Sequence, residues 1–152
     1  MTATADAVFA LERALVAAAT GGGELPAASP AAFGAVASRY LAVGTPRSFA
    51  IIGDGPFDLE AHRTWFAPID IRIDVPIAQA LAADIVCIHE PLALAASQLR
   101  RGTHVNALAN VTLDDELRAI ATIVTDLHPL AAGLVDGRQL DEITIYLPAV
   151  RA

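Results

Sequence analysis

An α/β fold, with a mostly parallel sheet flanked by helices and an additional N-terminal helix, is predicted by three observations. Short apolar runs alternate with helix-periodic stretches from residue 48 onward, as strand–helix–strand crossovers require. The 152 residues suit one domain with a sizeable core. Apolar residues make up 55% and charged ones 18%, a balance that excludes a disordered chain.

The elements follow in order. Residues 4–19 read as a helix, with Val8, Leu11, Leu15 and Ala18 on one stripe and Asp6 and Arg13 toward the other. GGGELPAASP, residues 21–30, interrupts it with three glycines and two prolines, so residues 1–30 form a helix plus linker and 31–152 the main domain. A helix over 31–41 starts behind Ser29 and Pro30, a cap and first-turn pair. Strands are predicted for SFAIIG (48–53), IDIRID (69–74), ADIVCIH (83–89), THVNAL (103–108), TIVTD (122–126) and EITIYL (142–147). Helices fall between them near 57–66, 76–82, 113–121 and 127–135. The third of these is best marked: Thr112 reads as its cap, Asp114, Asp115 and Glu116 fill its first turn, and Leu113, Leu117 and Ile120 share one face.

Charge and composition remove several chemistries. All ten cations are arginines, and without lysine the chain itself offers no Schiff base, no pyridoxal phosphate attachment and no P-loop lysine. A net charge of −7 repels a phosphate backbone, so no nucleic acid partner is expected. The single Cys87 lies in the apolar run DIVCI and reads as a buried hydrophobe. Asp6, Glu12 and Arg13 break the N-terminal apolar stretch, which therefore does not read as a signal peptide. No segment reaches the roughly 20 apolar residues of a membrane span, and the expected location is cytoplasmic. The runs VPIAQALAA and PLALAA are apolar enough to want cover from another subunit, so a homodimer is expected, through the N-terminal helix or by pairing of sheet edges.

One string stands out. LRRGTHVNAL, residues 99–108, runs from a glycine turn into a strand that puts His104 and Asn106 on one face and Thr103, Val105 and Ala107 on the other. Together with SRYLA (38–42), SFAIIGDG, ADIVCIHEPL, TIVTD and DEITIYL, it resembles the nucleotide-binding-domain part of the ornithine cyclodeaminase/μ-crystallin family, in a truncated form. Arg101 stands where members have proline. The resemblance implies a reduced Rossmann-like sheet, and a family of longer, commonly dimeric enzymes that use NAD or NADP to deaminate or reduce amino-acid-like substrates.

The departures from the family pattern are many. Its substrate and dimerisation domain, with a catalytic lysine and a carboxylate-binding arginine, has no counterpart in residues 1–30. The acidic residue it carries after His-x-Asn-Ala would fall near Asn110 or Val111, and neither is acidic; Asp114 and Asp115 read as helix caps. The turn GDGPFD keeps Gly53 and Gly55 for the backbone approach to a diphosphate, but Asp54 and Asp58 set carboxylates there. Only one strand and a short helix fit between SFAIIG and ADIVCIH, so one βα unit is expected to be missing. Asp74 ends the intervening strand, where an acidic residue receives a ribose hydroxyl, and His89, Glu90 and Pro91 replace the family's threonine-rich loop.

On these grounds no catalytic residue and no cofactor are expected, Gly53 and Gly55 being remnants of a degenerate loop. The four histidines, at 62, 89, 104 and 128, have no metal-site spacing, and the serines lack a nucleophile elbow. The expectation is a non-catalytic accessory protein that binds a peptide, for example a precursor peptide, or a partner enzyme in a biosynthetic pathway. IDIRID and EITIYL would be its open edges. Arg72, His89, Glu90, His104, Asn106, Thr144 and Tyr146 are its candidate contacts. The alternative is an NAD- or NADP-dependent cyclodeaminase or dehydrogenase completed by a partner subunit that lends the lysine.

Overall fold

Five consecutive buried residues, Ser48–Ile52, form strand β1, the second strand from one edge of the sheet. The computed structural model describes residues 9–11, 13–14, 30–42, 45–53, 59–66, 68–125 and 142–148. In chain order the elements are α1 (Pro30–Leu41), β1, α2 (Leu59–Phe66), β2 (Asp70–Arg72), α3 (Ile77–Leu81), β3 (Ile85–Ile88), β4 (Leu92–Leu94), a 3₁₀ turn at Ala96–Gln98, β5 (His104–Ala107), β6 (Val111–Leu113), α4 (Asp115–Ile120), β7 (Thr122–Val124) and β8 (Thr144–Tyr146). Six strands make one sheet in the order β2-β1-β3-β5-β8-β7, all parallel, and β4 and β6 form a separate parallel pair.

The strands are apolar on both sides because both faces are covered, and their period of two sorts the side chains. One face carries Ala50, Ile52, Val86, Ile88, Val105, Ala107 and Ile145, packed with Leu81 of α3 and Leu117 of α4. The other carries Phe49, Ile51, Ile85 and Cys87 against Phe66 of α2, and Tyr146 against Val36 and Leu41 of α1. Helical residues Phe9 and Leu11 join this second face, the Phe9 ring meeting Trp65 edge-on at 5.5 Å. Below the sheet, the Asp84 carboxylate accepts the backbone N–H groups of Arg47 (2.8 Å) and Ser48 (3.2 Å) and bonds Arg100 at 3.2 Å.

Three expectations need correction. EITIYL is not an edge: β8 is hydrogen-bonded to β5 on one side and β7 on the other, and the edges of the described sheet are β2 and β7. Thr112 is not a cap but the exposed middle residue of β6. The cap is Asp114, whose carboxylate accepts the Leu117 N–H at 2.8 Å. The PLALAA run is only partly exposed, because its Leu94 is buried in the short β4. The missing βα unit agrees with the topology: among the described residues a single strand, β2, lies beyond β1 on that side. The helix expected at 127–135, the linker at 21–30 and the turn residues Asp54, Gly55 and Asp58 lie outside the described residues.

Candidate functional site

After β1 the chain moves outward to β2, then returns past β1 to β3. The strand order therefore reverses between β1 and β3, and the C-terminal ends of two such strands mark the candidate crevice, the place where parallel α/β sheets take ligands. Gly53 follows β1 there, and His89 and Glu90 follow β3. Gly53 has φ +86°, a left-handed conformation that glycine adopts without a steric penalty. A Cβ there would sit 3.1 Å from Glu90 Cβ and 3.2 Å from the Glu90 nitrogen. The His89 N–H donates to the Ile52 carbonyl at 2.8 Å and carries the β1–β3 ladder one step beyond the paired strands. Burial holds the His89 imidazole below its ordinary pKa, so near neutral pH it is an uncharged donor and acceptor at the crevice. Glu90 is exposed. Beside β1, Asp74 follows β2 with φ +58°, and the last paired residue of β2, Arg72, lies opposite Ala50.

His104 and Asn106 are placed elsewhere. Both are fully buried on the face beneath α1, where they build a polar strap between helix and sheet. His104 Nε2 donates to Asn106 Oδ1 at 2.8 Å, and its Nδ1 lies 2.9 Å from Thr144 Oγ1. Asn106 Nδ2 donates to Ser38 Oγ at 2.7 Å and, more weakly, to Cys87 Sγ at 3.4 Å. The two ends of the strap reach backbone: Ser38 Oγ donates to the Gly34 carbonyl (3.1 Å) and Thr144 Oγ1 to that of Leu41 (3.0 Å). His62 of α2 contacts the same Ser38 oxygen at 3.1 Å. Buried polar groups persist only when bonded, and here they fasten α1 onto β5 and β8.

The candidate contacts thus separate. His104, Asn106 and Thr144 come together but have no exposed surface, and Tyr146 is buried beside them. His89 and Glu90 stand at the crevice. Arg72 lies at the sheet edge, with its guanidinium on the Asp70 carboxylate (3.1 Å) and the Gln79 carbonyl (3.1 Å). Sequence reasoning missed Ser38 and His62. Their only signal is a small polar residue four positions after Gly34 and a histidine amid aromatics, neither of which points to the other.

Cys87 is inert as a nucleophile. Burial pushes its thiol up to about 12, with the Asn106 N–H pulling weakly the other way. A disulfide reagent at neutral pH is expected to label it only after denaturation. Prompt labelling of the native protein would contradict that burial.

Among the described residues no helix is long and apolar enough to cross a membrane. No family model and no curated protein matches the sequence. Solved structures do match. An archaeal alanine dehydrogenase dimer with bound NAD shares the fold at a TM-score of 0.56 and 22% identity, over 76% of this chain and 56% of that one. A lysine cyclodeaminase, solved for its recognition of L-lysine, L-ornithine and L-2,4-diaminobutyric acid, matches at 0.57 and 20%, over 80% and 53%. The iminosuccinate reductase of Paracoccus denitrificans in complex with NAD+ matches at 0.57 and 19%, over 80% and 57%.

Two expectations are overturned by these likenesses. A protein without catalysis and without a cofactor was the expectation from its altered charges, yet the structures that share its fold are enzymes, and two of these three hold NAD. Neither absence is carried forward. The chain spans little more than half the length of these proteins, and it shares with them a Rossmann-like α/β fold.

Proposed function

We propose that the chain is the nicotinamide-nucleotide-binding part of an enzyme that deaminates or reduces an amino-acid-like substrate, completed by a partner subunit carrying the amine that this lysine-free chain lacks. The observation that carries this reading is the strand-order reversal between β1 and β3 with Gly53 in a left-handed turn directly after β1. Such a turn lets backbone N–H groups approach a diphosphate without a side chain between them. Asp74, just past β2, is suited to accept ribose hydroxyls and would repel a 2′-phosphate, which favours NAD over NADP. The neutral His89 imidazole can donate to or accept from a bound nucleotide without adding charge. The nicotinamide ring, when bound, supplies hydride transfer. This chain's own residues hold and orient the nucleotide.

NADH at a hundred times its dissociation constant is expected to stabilise the fold by about 2.7 kcal/mol, read as a rise in melting temperature, with a smaller rise for NADPH. Asp74→Ala should narrow the difference between the two. No shift in melting and no change in NADH fluorescence at millimolar nucleotide would overturn the proposal.

A further inference from the structure

We propose that β2 is the seam of a homodimer, in which β2 of a second copy pairs with it antiparallel about a two-fold axis at Ile71. The bonding direction of each residue in β2 follows from its register. Asp70 pairs with Ser48 and Arg72 with Ala50, and the Asp70 N–H donates inward to the Arg47 carbonyl at 2.8 Å. In a parallel ladder alternate residues turn both backbone groups to the neighbour. Asp70 and Arg72 thus bond β1, while Ile69, Ile71 and Ile73 present N–H and C=O outward, where no described strand lies.

Natural edges are protected by like charges, prolines or cover, because open backbone groups recruit another strand. This edge carries opposite charges two residues apart, Asp70 and Arg72, already 3.1 Å from each other. Antiparallel pairing centred on Ile71 sets Asp70 across from the second copy's Arg72, and Arg72 across from its Asp70. A like-charged edge would repel itself in this register; this one is self-complementary, as a two-fold contact demands. The same register bonds Ile71 to the second copy's Ile71 and Ile69 to the second copy's Ile73. It also gathers these isoleucines on one face, covering Ile73, which is 46% exposed. The two sheets then become one continuous sheet.

The test is charge exchange, read by sedimentation of the full chain across a concentration series. The wild type is expected to dimerise. Asp70→Arg and Arg72→Asp, which place like charges across the seam, should each weaken the dimer by about tenfold or more. Mixed together, the two variants should form a heterodimer about as tight as the wild-type dimer, because each then meets its complement. Ile73→Glu, at an exposed position outside the ion pair, should weaken the dimer independently. Melting curves verify that every variant is folded. A wild type that stays monomeric, single variants that dimerise undiminished, or a mixture of folded variants that does not pair would each overturn the proposal.

Discussion

Replacing Asn106 with leucine is expected to lower the stability of the domain by about 1–2 kcal/mol, although the two side chains share a branched shape with the same number of heavy atoms. Asn106 is fully buried and uses both ends of its amide: Oδ1 accepts from His104 Nε2, and Nδ2 donates to Ser38 Oγ. Leucine leaves the His104 N–H without an acceptor in the protein interior, where an unmet donor costs about 1–3 kcal/mol. It also removes the bond that ties Ser38 of α1 to β5, so the loss extends to the seating of the helix. The apolar gain from leucine offsets part of this, about 1–2 kcal/mol.

The check is a shift of the urea midpoint at constant slope. Thr144→Val removes the other end of the strap, the contacts to His104 Nδ1 and the Leu41 carbonyl. Because both changes act through His104, the double variant should be less destabilised than the sum of the two. A change within about 0.5 kcal/mol for Asn106→Leu, or strict additivity with Thr144→Val, would remove the case for a shared strap.

His104 and Asn106 also mark where the sequence was readable and where it was not. Their common face is plain from the alternation of residues 103–107, and the structure has that alternation. What they face is not plain, since Ser38 is 68 positions from Asn106 and Thr144 is 40 from His104. Polar side chains on a strand look alike in sequence whether they meet a ligand or one another. The inner strands β1, β3, β5 and β8 are visible as apolar runs because burial on both faces demands continuous hydrophobicity, whereas the edge strand β2, only partly buried, shows instead as the alternation of IDIRID. Strands β4 and β6 are not visible, being three residues each and paired only with one another. Strand order was equally hidden. EITIYL reads in sequence as an open edge, but β8 inserts between β5 and β7, a choice set by tertiary packing. The crevice was legible through Gly53 alone. The altered charges around it were overweighted, since the fold keeps the strand reversal that forms the crevice whatever the side chains at its rim.

Gly53→Val should cost about 3 kcal/mol and abolish nucleotide binding together, for two separate reasons. The first is conformational. At φ +86° a β-branched residue is strained by its own backbone, a penalty of about 1–3 kcal/mol. The second is contact. The new Cβ would lie 3.1 Å from Glu90 Cβ and 3.2 Å from the Glu90 nitrogen, and neither atom can swing aside as the end of a long side chain would. The Glu90 backbone is fixed by its neighbour, since the His89 N–H is bonded to the Ile52 carbonyl at 2.8 Å. Relief therefore requires β1 and β3 to part at their C-terminal ends. Gly53→Ala shares both faults in milder form and should lie between wild type and valine. Adding Glu90→Gly to Gly53→Ala removes the Cβ contact but leaves the strained φ and the nearby nitrogen, so recovery should be partial. Denaturation curves and NADH titration on the same three variants separate the two effects. Lost stability with retained NADH affinity would show that the turn shapes the fold but takes no part in binding. A Gly53→Val protein as stable as wild type would contradict the left-handed turn itself.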